Sequence, residues 1–587
     1  MTDRYYTTST AFLEALHEAG VRYIFANLGS DHPGLIEAVA WARAGGRQTA
    51  IPELIVCPHE TVALSAAHAY ASVAGQPQAV LVHVDAGTQN LGGAVNNAAR
   101  GRVPVLIFAG QAPYTIEGEL PGGRNEFIHW LQDVHDQRGI LRNYVKYDNE
   151  IRTGRNVRQL VHRAMQIARS EPAGPVYLVG PREVMEEELE PPAADPAAGQ
   201  PAAVGAPGYS PVAPAALTGE AADQIAAALA GAQHPLVITS YLGRDPRAVD
   251  ELVRLCELLA IPVIESVPSH LNFPADHPLQ CGYQWTTRSQ DPLLAEADVI
   301  LAVDSDVPWI EATSRPSPQA AIYCVDVDPL KYQMAMWHVP ARLFAAANSR
   351  VALHQIHEAV RRQELADPDA VAARRAQMAA VHDAQRAEWE ALERPAGSVI
   401  TPEYLTACVR DAIAGEDALV LSEAVTSFQI VARHLRLNRP GSLISSGGGS
   451  LGWAGGGAVG AKLAAPDRTV VCLVGDGSYL FGVPSSAQWV ARRYRTPALT
   501  VIYDNHGWRA PKQSTMALHA DGAAARGADF NVSFEPAADL AGIARAAGAA
   551  HARAVADPAE LSSALKEALA AVHDGTSAVL SVQLPPA

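Results

Sequence analysis

The residues best suited to chemistry sit near the C-terminal end, in Gly475-Asp476-Gly477-Ser478 and in Asp504-Asn505, with residues 478–503 separating the Gly-Asp-Gly from the Asp-Asn pair. The first segment offers a carboxylate and the second a carboxamide. Hard oxygen donors of this kind suit Mg²⁺ holding a diphosphate, and glycines flanking an acid let the backbone come close to a ligand. The elements that must position them are legible nearby. Val470, Val471, Cys472, Leu473 and Val474 form an apolar run typical of a strand buried on both faces. A helical stretch through Ala487, Gln488, Trp489, Val490 and Ala491 follows, and a second apolar strand covers residues 498–503. In a parallel βαβ unit both strand ends lie on one edge of the sheet, where ligands bind.

The same grammar runs through the chain. Residues 1–185 alternate strands (23–26, 53–56, 79–84, 105–109, 176–179) with helices (11–19, 33–42, 60–74, 91–100, 157–169). Residues 186–212 are rich in Pro, Ala and Gly and read as a linker. Residues 213–365 repeat the pattern, with strands at 235–238, 262–264, 299–303 and 321–325. Two acidic strand ends there, Asp304-Ser305-Asp306 and Asp326-Val327-Asp328, read either as places for the hydroxyl groups of a nucleotide or as capped turns. Residues 366–400 are charged and helical, a surface connector, and 401–587 form a third α/β region. The expected fold is α/β, with three doubly wound parallel-sheet domains.

Composition narrows the function classes. A chain of 587 residues is too long for one core, and its 48% hydrophobic and 18% charged content fits a well-buried protein or an oligomer. Net charge is −17 and no Lys/Arg cluster occurs, which argues against a nucleic acid partner. The six cysteines are scattered without a CxxC pair, as in a protein with reduced thiols, so a cytoplasmic location is expected. The N-terminal segment lacks the basic start and long apolar run of a signal peptide, and no stretch approaches the ~18 apolar residues of a membrane span.

The spacing from Gly475-Asp476-Gly477 to Asp504-Asn505 resembles the binding motif of thiamine diphosphate (ThDP) enzymes, and the three-domain order is similar to the acetolactate synthase and benzoylformate decarboxylase group. The resemblance covers almost the whole chain and implies pyrimidine-binding, middle and diphosphate-binding domains in that order. It implies that Gly475, Asp476, Gly477, Ser478 and Asn505 bind the cofactor, with Mg²⁺ held by Asp476, Asn505 and the backbone carbonyl of Gly507; Asp504 stands where the family usually has Asn. Glu423-Ala424-Val425-Thr426-Ser427 looks like the family's loop that grips the diphosphate. The Gly-rich stretch containing Gly447, Gly448 and Gly449 looks like the facing wall, with Leu451 under the thiazolium ring.

In the first domain Pro58-His59-Glu60-Thr61 opens a helix. Taken alone, a Glu there is a helix-dipole partner. In the family a Glu at this place bonds N1′ of the aminopyrimidine and favours the imino form that acts as an intramolecular base. Glu60 would come from one subunit and Asp476 from the other, implying a homodimer or homotetramer with active sites at the dimer interface. His83-Val84-Asp85-Ala86-Gly87-Thr88-Gln89-Asn90 and Gly29-Ser30 are similar to the benzoylformate decarboxylase pattern, which makes His83 a proton donor and Ser30 a ligand of the substrate carboxylate. Gln111, in Gly110-Gln111, resembles a family residue near the cofactor. Asp31-His32 departs from the pattern and is expected to put two more ionisable groups at the mouth of the site.

Other departures bear on the substrate. Pro484-Ser485-Ser486 stands where acetolactate synthases have Gln-Glu, and the tandem His-His of yeast-type pyruvate decarboxylases is not seen. Trp508 and Lys512 either close over the substrate, bind an acidic or acyl-thioester group, or form a packed surface turn. The reading is a ThDP- and Mg²⁺-dependent lyase or carboligase acting on a small 2-oxo acid, by decarboxylation with or without acyloin formation. The alternatives are a 2-hydroxyacyl-CoA lyase, with an acyl-CoA substrate, and a catalytically silent ThDP-binding paralogue. FAD or a nucleotide in the middle domain is left open.

Overall fold

The computed structural model describes residues 6–46, 48–191, 209–286, 289–549 and 551–586. Most of the expected linker, residues 192–208, lies outside the described residues. Three six-stranded sheets, every pair parallel, follow one another along the chain. The first contains β1 (Tyr23–Ala26), β2 (Glu53–Val56), β3 (Gln78–Val82), β4 (Val105–Gln111), β5 (Asp148–Glu150) and β6 (Val176–Pro181), in the order 2-1-3-4-6-5. The second contains β7 (Pro235–Thr239), β8 (Val263–Ser266), β9 (Gln280–Gln284), β10 (Val299–Val303), β11 (Ala321–Asp326) and β12 (Leu343–Ala346), in the order 12-11-10-7-8-9. The third contains β13 (Ala418–Glu423), β14 (Leu443–Ile444), β15 (Thr469–Gly475), β16 (Leu499–Asp504), β17 (His551–Val555) and β18 (Ala578–Gln583), in the order 14-13-15-16-18-17. Helices cover both faces of each sheet, so the central strands are buried and mostly apolar. All six cysteines are free, and no helix among the described residues is long and apolar enough to cross a membrane.

The helix Pro368–Glu390 is more than a surface connector. It buries Met378, His382, Arg386 and Trp389, and His382 Nδ1 lies 2.8 Å from the carbonyl of Gln280 in β9. A polar edge strand needs a cover, and this amphipathic helix supplies it.

The first and third domains meet backbone to backbone. Helix Glu60–Ala74 lies along helix Trp453–Ala464, and Gly456 and Gly460 permit the contact: a Cβ at Gly460 would lie 1.9 Å from the Ala66 carbonyl oxygen, and one at Gly456 2.7 Å from that of Val62. Asn97 adds hydrogen bonds to both the amide and the carbonyl of Ser450, at 2.9 and 2.8 Å.

Candidate active site

In the third domain the candidate residues gather at the C-terminal ends of β13, β15 and β16, adjacent strands. Asp476 is buried in the first turn after β15; its Oδ1 accepts from the Gly477 amide at 2.8 Å and its Oδ2 from the Gly507 amide at 2.9 Å. Burial pushes its carboxyl above the usual range, against those two amides. Asn505, at the end of the neighbouring strand, has a buried Oδ1 with no hydrogen-bond partner. An orphaned buried acceptor is costly, and beside a carboxylate it is the donor set a small hard cation needs. Asp504 turns the other way, accepting from Ser581 Oγ at 2.8 Å. The residues present therefore fit Mg²⁺ and a diphosphate.

The Glu423 side chain is taken up by the protein itself. Its carboxylate caps helix Trp453–Ala464: Oε1 accepts from the amides of Gly452 (2.5 Å) and Trp453 (3.2 Å), and Oε2 from Ala454 (2.8 Å). Burial raises its pKa to about 7 in spite of the three amides. The side chain is thus engaged by protein, while its backbone carbonyl accepts from Ser478 Oγ at 3.2 Å and ties the glycine turn to β13. Beside it a cavity of about 290 Å³ is lined by Glu423, Val425, Phe428, Gly449 and Leu451, and by Trp285 of the second domain. Trp285 stacks on Phe428 with ring centres 4.5 Å apart. Gly449, at φ +73°, has open space where a Cβ would point, and its amide donates to Ser446 Oγ at 3.3 Å. Ala424, in the turn after β13, is buried. The Trp508 ring covers Gly477, where a Cβ would come within 2.2 Å of it, and packs edge-on against Phe534.

The first domain brings its candidates to the ends of β2, β1, β3 and β4, again adjacent. Glu60 opens its helix and is buried, and each oxygen accepts from a carboxamide: Oε1 from Asn27 Nδ2 at 2.8 Å, Oε2 from Asn90 Nδ2 at 3.0 Å. Gly87 leaves the room this needs, since a Cβ there would be 3.0 Å from Glu60 Oε1. Ser30 is half-buried in the turn after β1, and Gln111 ends β4 with a buried, unpartnered Oε1. His83 follows β3 and lies 2.6 Å from both Asp31 Oδ1 and Gln132 Oε1.

Sequence reasoning missed Asn27 and gave no role to Asn90; the available signal was a carboxamide directly after an apolar strand. It also misjudged Asp31 and His32. Both are buried behind the site rather than at its mouth, because Asp31 is held by His83 and by the Val84 amide at 3.1 Å, and His32 by the Gly29 amide. Among the described residues no hydrogen bond joins the Glu60 set to the Asp476–Asn505 set.

The second domain's acidic strand ends are used internally. Asp306 pairs with Arg102 of the first domain through two bonds (2.7 and 3.0 Å) and with Lys331, which together hold it down at about 2 despite burial. Asp326 accepts from Lys331 Nζ and Tyr241 Oη, both at 2.5 Å, and caps the Asp328 amide. Burial raises Asp304 to about 6. Asp304 is the exception, with both carboxylate oxygens buried and without a hydrogen-bond partner among the described residues.

Three family models match the chain, one within each α/β domain: "Thiamine pyrophosphate enzyme, N-terminal TPP binding domain" over residues 6–140, "central domain" over 222–356, and "C-terminal TPP binding domain" over 424–582. The chain belongs to the thiamine pyrophosphate enzyme family. It is similar to the benzoylformate decarboxylase of Pseudomonas aeruginosa (27% identical over 581 residues, 96% of this chain and 97% of that protein). It is also similar to the sulfoacetaldehyde acetyltransferase of Castellaniella defragrans (26% over 568 residues, 92% and 87%) and to the large subunit of acetolactate synthase isozyme 1 of Escherichia coli (27% over 459 residues, 74% and 71%). In fold it matches a ThDP-dependent 4-hydroxybenzoylformate decarboxylase of Rhodococcus jostii, with TM-score 0.75, 23% identity and 99% of each chain covered. It matches the benzoylformate decarboxylase of Polynucleobacter necessarius likewise, with TM-score 0.76, 19% identity and 99% of each chain. This thiamine pyrophosphate enzyme is of the decarboxylase/acetolactate synthase type.

Proposed function

We propose that the enzyme uses Mg²⁺ with ThDP to decarboxylate a small 2-oxo acid, releasing an aldehyde or joining the two-electron fragment to a second carbonyl compound. The observation that carries this reading is the strand-end set Ser30, Glu60, His83 and Gln111 around one edge of the first sheet, the pattern shared with the benzoylformate decarboxylase type. ThDP, when bound, supplies the nucleophilic carbon that adds to the oxo group and holds the electron pair as CO₂ leaves. Asp476, the orphaned Asn505 Oδ1 and the Gly507 carbonyl would hold Mg²⁺, with Gly449 and the glycine turn beside the diphosphate and Leu451 as the apolar support. Glu60, fixed by Asn27 and Asn90, exchanges a proton with N1′ of the aminopyrimidine. Ser30 binds the substrate carboxylate, and His83 Nε2 gives up a proton.

The active site is proposed to lie between two copies of the chain. Segment 112–137 carries Phe127 (76% exposed), Trp130, Leu131 (74%) and Val134 beside the first half-site, and Phe481 and Trp489 are exposed beside the second. Apolar side chains in this number mark an interaction face. The deciding experiment is a panel of 2-oxo acids and 2-hydroxyacyl-CoA esters scored for CO₂, aldehyde and acyloin. Turnover of 2-oxo acids with CO₂ release supports the reading, and cleavage of only the CoA esters overturns it.

A further inference from the structure

Asp31 is unused in the mechanism above, yet it is among the most tightly held groups of the first domain. It is 3% exposed; Oδ1 lies 2.6 Å from His83 Nδ1, and Oδ2 accepts from the Val84 amide at 3.1 Å. Two glycines at separate strand ends make its space. A Cβ at Gly110 would fall 2.0 Å from Asp31 Oδ2, and one at Gly29 would fall 2.1 Å from His83 Nδ1. A side chain at either place would break the pair.

The geometry also fixes where the protons sit. A carboxylate only accepts, so His83 Nδ1 carries a hydrogen. His83 Nε2 lies 2.6 Å from Gln132 Oε1, on segment 112–137, and the imidazole is 21% exposed on that side. His32 is different: its Nδ1 accepts from the Gly29 amide at 3.1 Å, and burial keeps it neutral, below the ordinary histidine range. Other charged groups are also near. Asp85, in the helix after His83, adds to Asp31's effect on it. His129 is bonded to Arg182 at 2.9 Å and is held down by burial and by that guanidinium. The net result for His83 is a rise: burial alone would lower it, and Asp31 first, then Gln132 and Asp85, outweigh that.

We propose that Asp31 is a positioning residue, which anchors His83 through Nδ1–H and leaves Nε2–H as the proton the site donates. This rests on the reading of His83 as proton donor. The Nε2–H bond breaks as the proton passes to the carbon that has lost CO₂. His83 is left neutral with Nδ1–H still on Asp31, and solvent restores the Nε2 proton. Asp31 itself never changes protonation. The pair therefore keeps the donor loaded at pH values where an ordinary imidazole, near 6.5, would be mostly discharged.

The test uses the full-length enzyme with ThDP and Mg²⁺, in wild-type, Asp31→Asn and Gly29→Ala forms. Histidine C2–H deuterium exchange, followed by mass spectrometry across pH, gives a titration midpoint for each histidine separately. The expected result is a His83 midpoint above 6.5 in wild type that falls by about one unit or more, roughly ten-fold in the protonation constant, in both variants. The alkaline limb of kcat should fall with it, while ThDP affinity and the His68 midpoint stay put. The second variant leaves the Asp31 carboxylate intact, so agreement between the two tracks the contact and not the lost charge alone. An unchanged His83 midpoint overturns the proposal. A midpoint that falls while the kcat limb stays also overturns it, because the pair would then be structural only. Absence of 2-oxo acid turnover in wild type would instead count against the proposed function, and the midpoints would still report Asp31's hold on His83.

Discussion

Glu60→Gln separates a catalytic carboxylate from a helix-end charge by magnitude. Each Glu60 oxygen accepts from an asparagine Nδ2, at 2.8 and 3.0 Å. Gln keeps the length and one oxygen but turns an NH₂ toward the other donor. A buried donor facing a donor costs about 1–3 kcal/mol. A half-turn of the Asn27 or Asn90 amide would present an oxygen instead, so the expected loss of stability is at the low end, about 1 kcal/mol. ThDP should still bind, because the donors proposed for the diphosphate and metal are all in the third domain. Turnover should fall by ~10²–10⁴, the usual worth of acid–base assistance, which is about 3–5 kcal/mol of barrier at 1.36 kcal/mol per ten-fold. A mere dipole partner would cost roughly 0.3–1 kcal/mol of stability and leave turnover alone. The assays are ThDP titration by intrinsic fluorescence, steady-state turnover, and deuterium exchange at C2 of bound ThDP by NMR. Wild-type exchange and turnover in the Gln variant would refute the assignment of Glu60.

Further outcomes are expected elsewhere. Asp476→Ala and Asn505→Ala should lose Mg²⁺-dependent ThDP binding and activity together; tight productive binding in either, by equilibrium dialysis, would remove the metal assignment. Polar replacement of Phe127, Trp130 and Leu131 should convert an oligomer into an inactive monomer in sedimentation, and an active wild-type monomer would contradict the shared site. Gly460→Ala should lower stability by about 1–3 kcal/mol, since its Cβ would meet the Ala66 carbonyl at 1.9 Å. Gly455→Ala meets only Ala487 Cβ, at 3.2 Å, and should be near neutral, helped by its better helix propensity. Glu265 is buried, accepts from the Asn272 amide and side chain, and is raised by burial from 4.5 to about 7. A raised carboxyl favours the folded state at low pH and loses that contribution as pH climbs from about 4.5 to 7. Glu265→Gln should therefore gain stability over wild type across that window, up to about 3 kcal/mol (2.5 units at 1.36 each), then level off; denaturant titrations at pH 5 and 8 measure it.

The sequence made most inner strands legible and most edge strands not. β1 and β10 are where their apolar runs place them, because inner strands covered on both faces are mostly apolar, and the edge strand β2 is legible too, from Leu54-Ile55-Val56. Of the strands not anticipated, β5, β9, β12, β14 and β17 border their sheets and β13 is an inner strand. Asp148-Asn149-Glu150 has no apolar residue at all, and β9 begins and ends in Gln, so periodicity gives nothing to read. The site divides in the same way. Glu60, His83 and Asp476 stand in recognisable local patterns, but their partners do not. Asn27 meets Glu60 and Asp31 meets His83 only because β1 lies between β2 and β3, a neighbour relation set by sheet order and not by spacing along the chain.

That sheet order also explains why a site built from distant segments can be rigid. The Glu60 helix is pressed onto helix Trp453–Ala464 through Gly456 and Gly460, where neither backbone can approach further. The N-terminus of the second helix is in turn fixed by the Glu423 carboxylate, whose own carbonyl holds Ser478 in the glycine turn. One continuous series of short contacts thus runs from Glu60 to Asp476 within a chain, although no hydrogen bond joins the two sets directly. Removing a link should loosen both ends at once. Loss of the Glu423 cap would leave three buried amides unpaired, each worth about 1–3 kcal/mol, and would displace Gly452 and with it Leu451 at the wall of the cavity. Glu423, expected from its sequence to grip the diphosphate, also fixes the turns that carry Gly452 and Ser478.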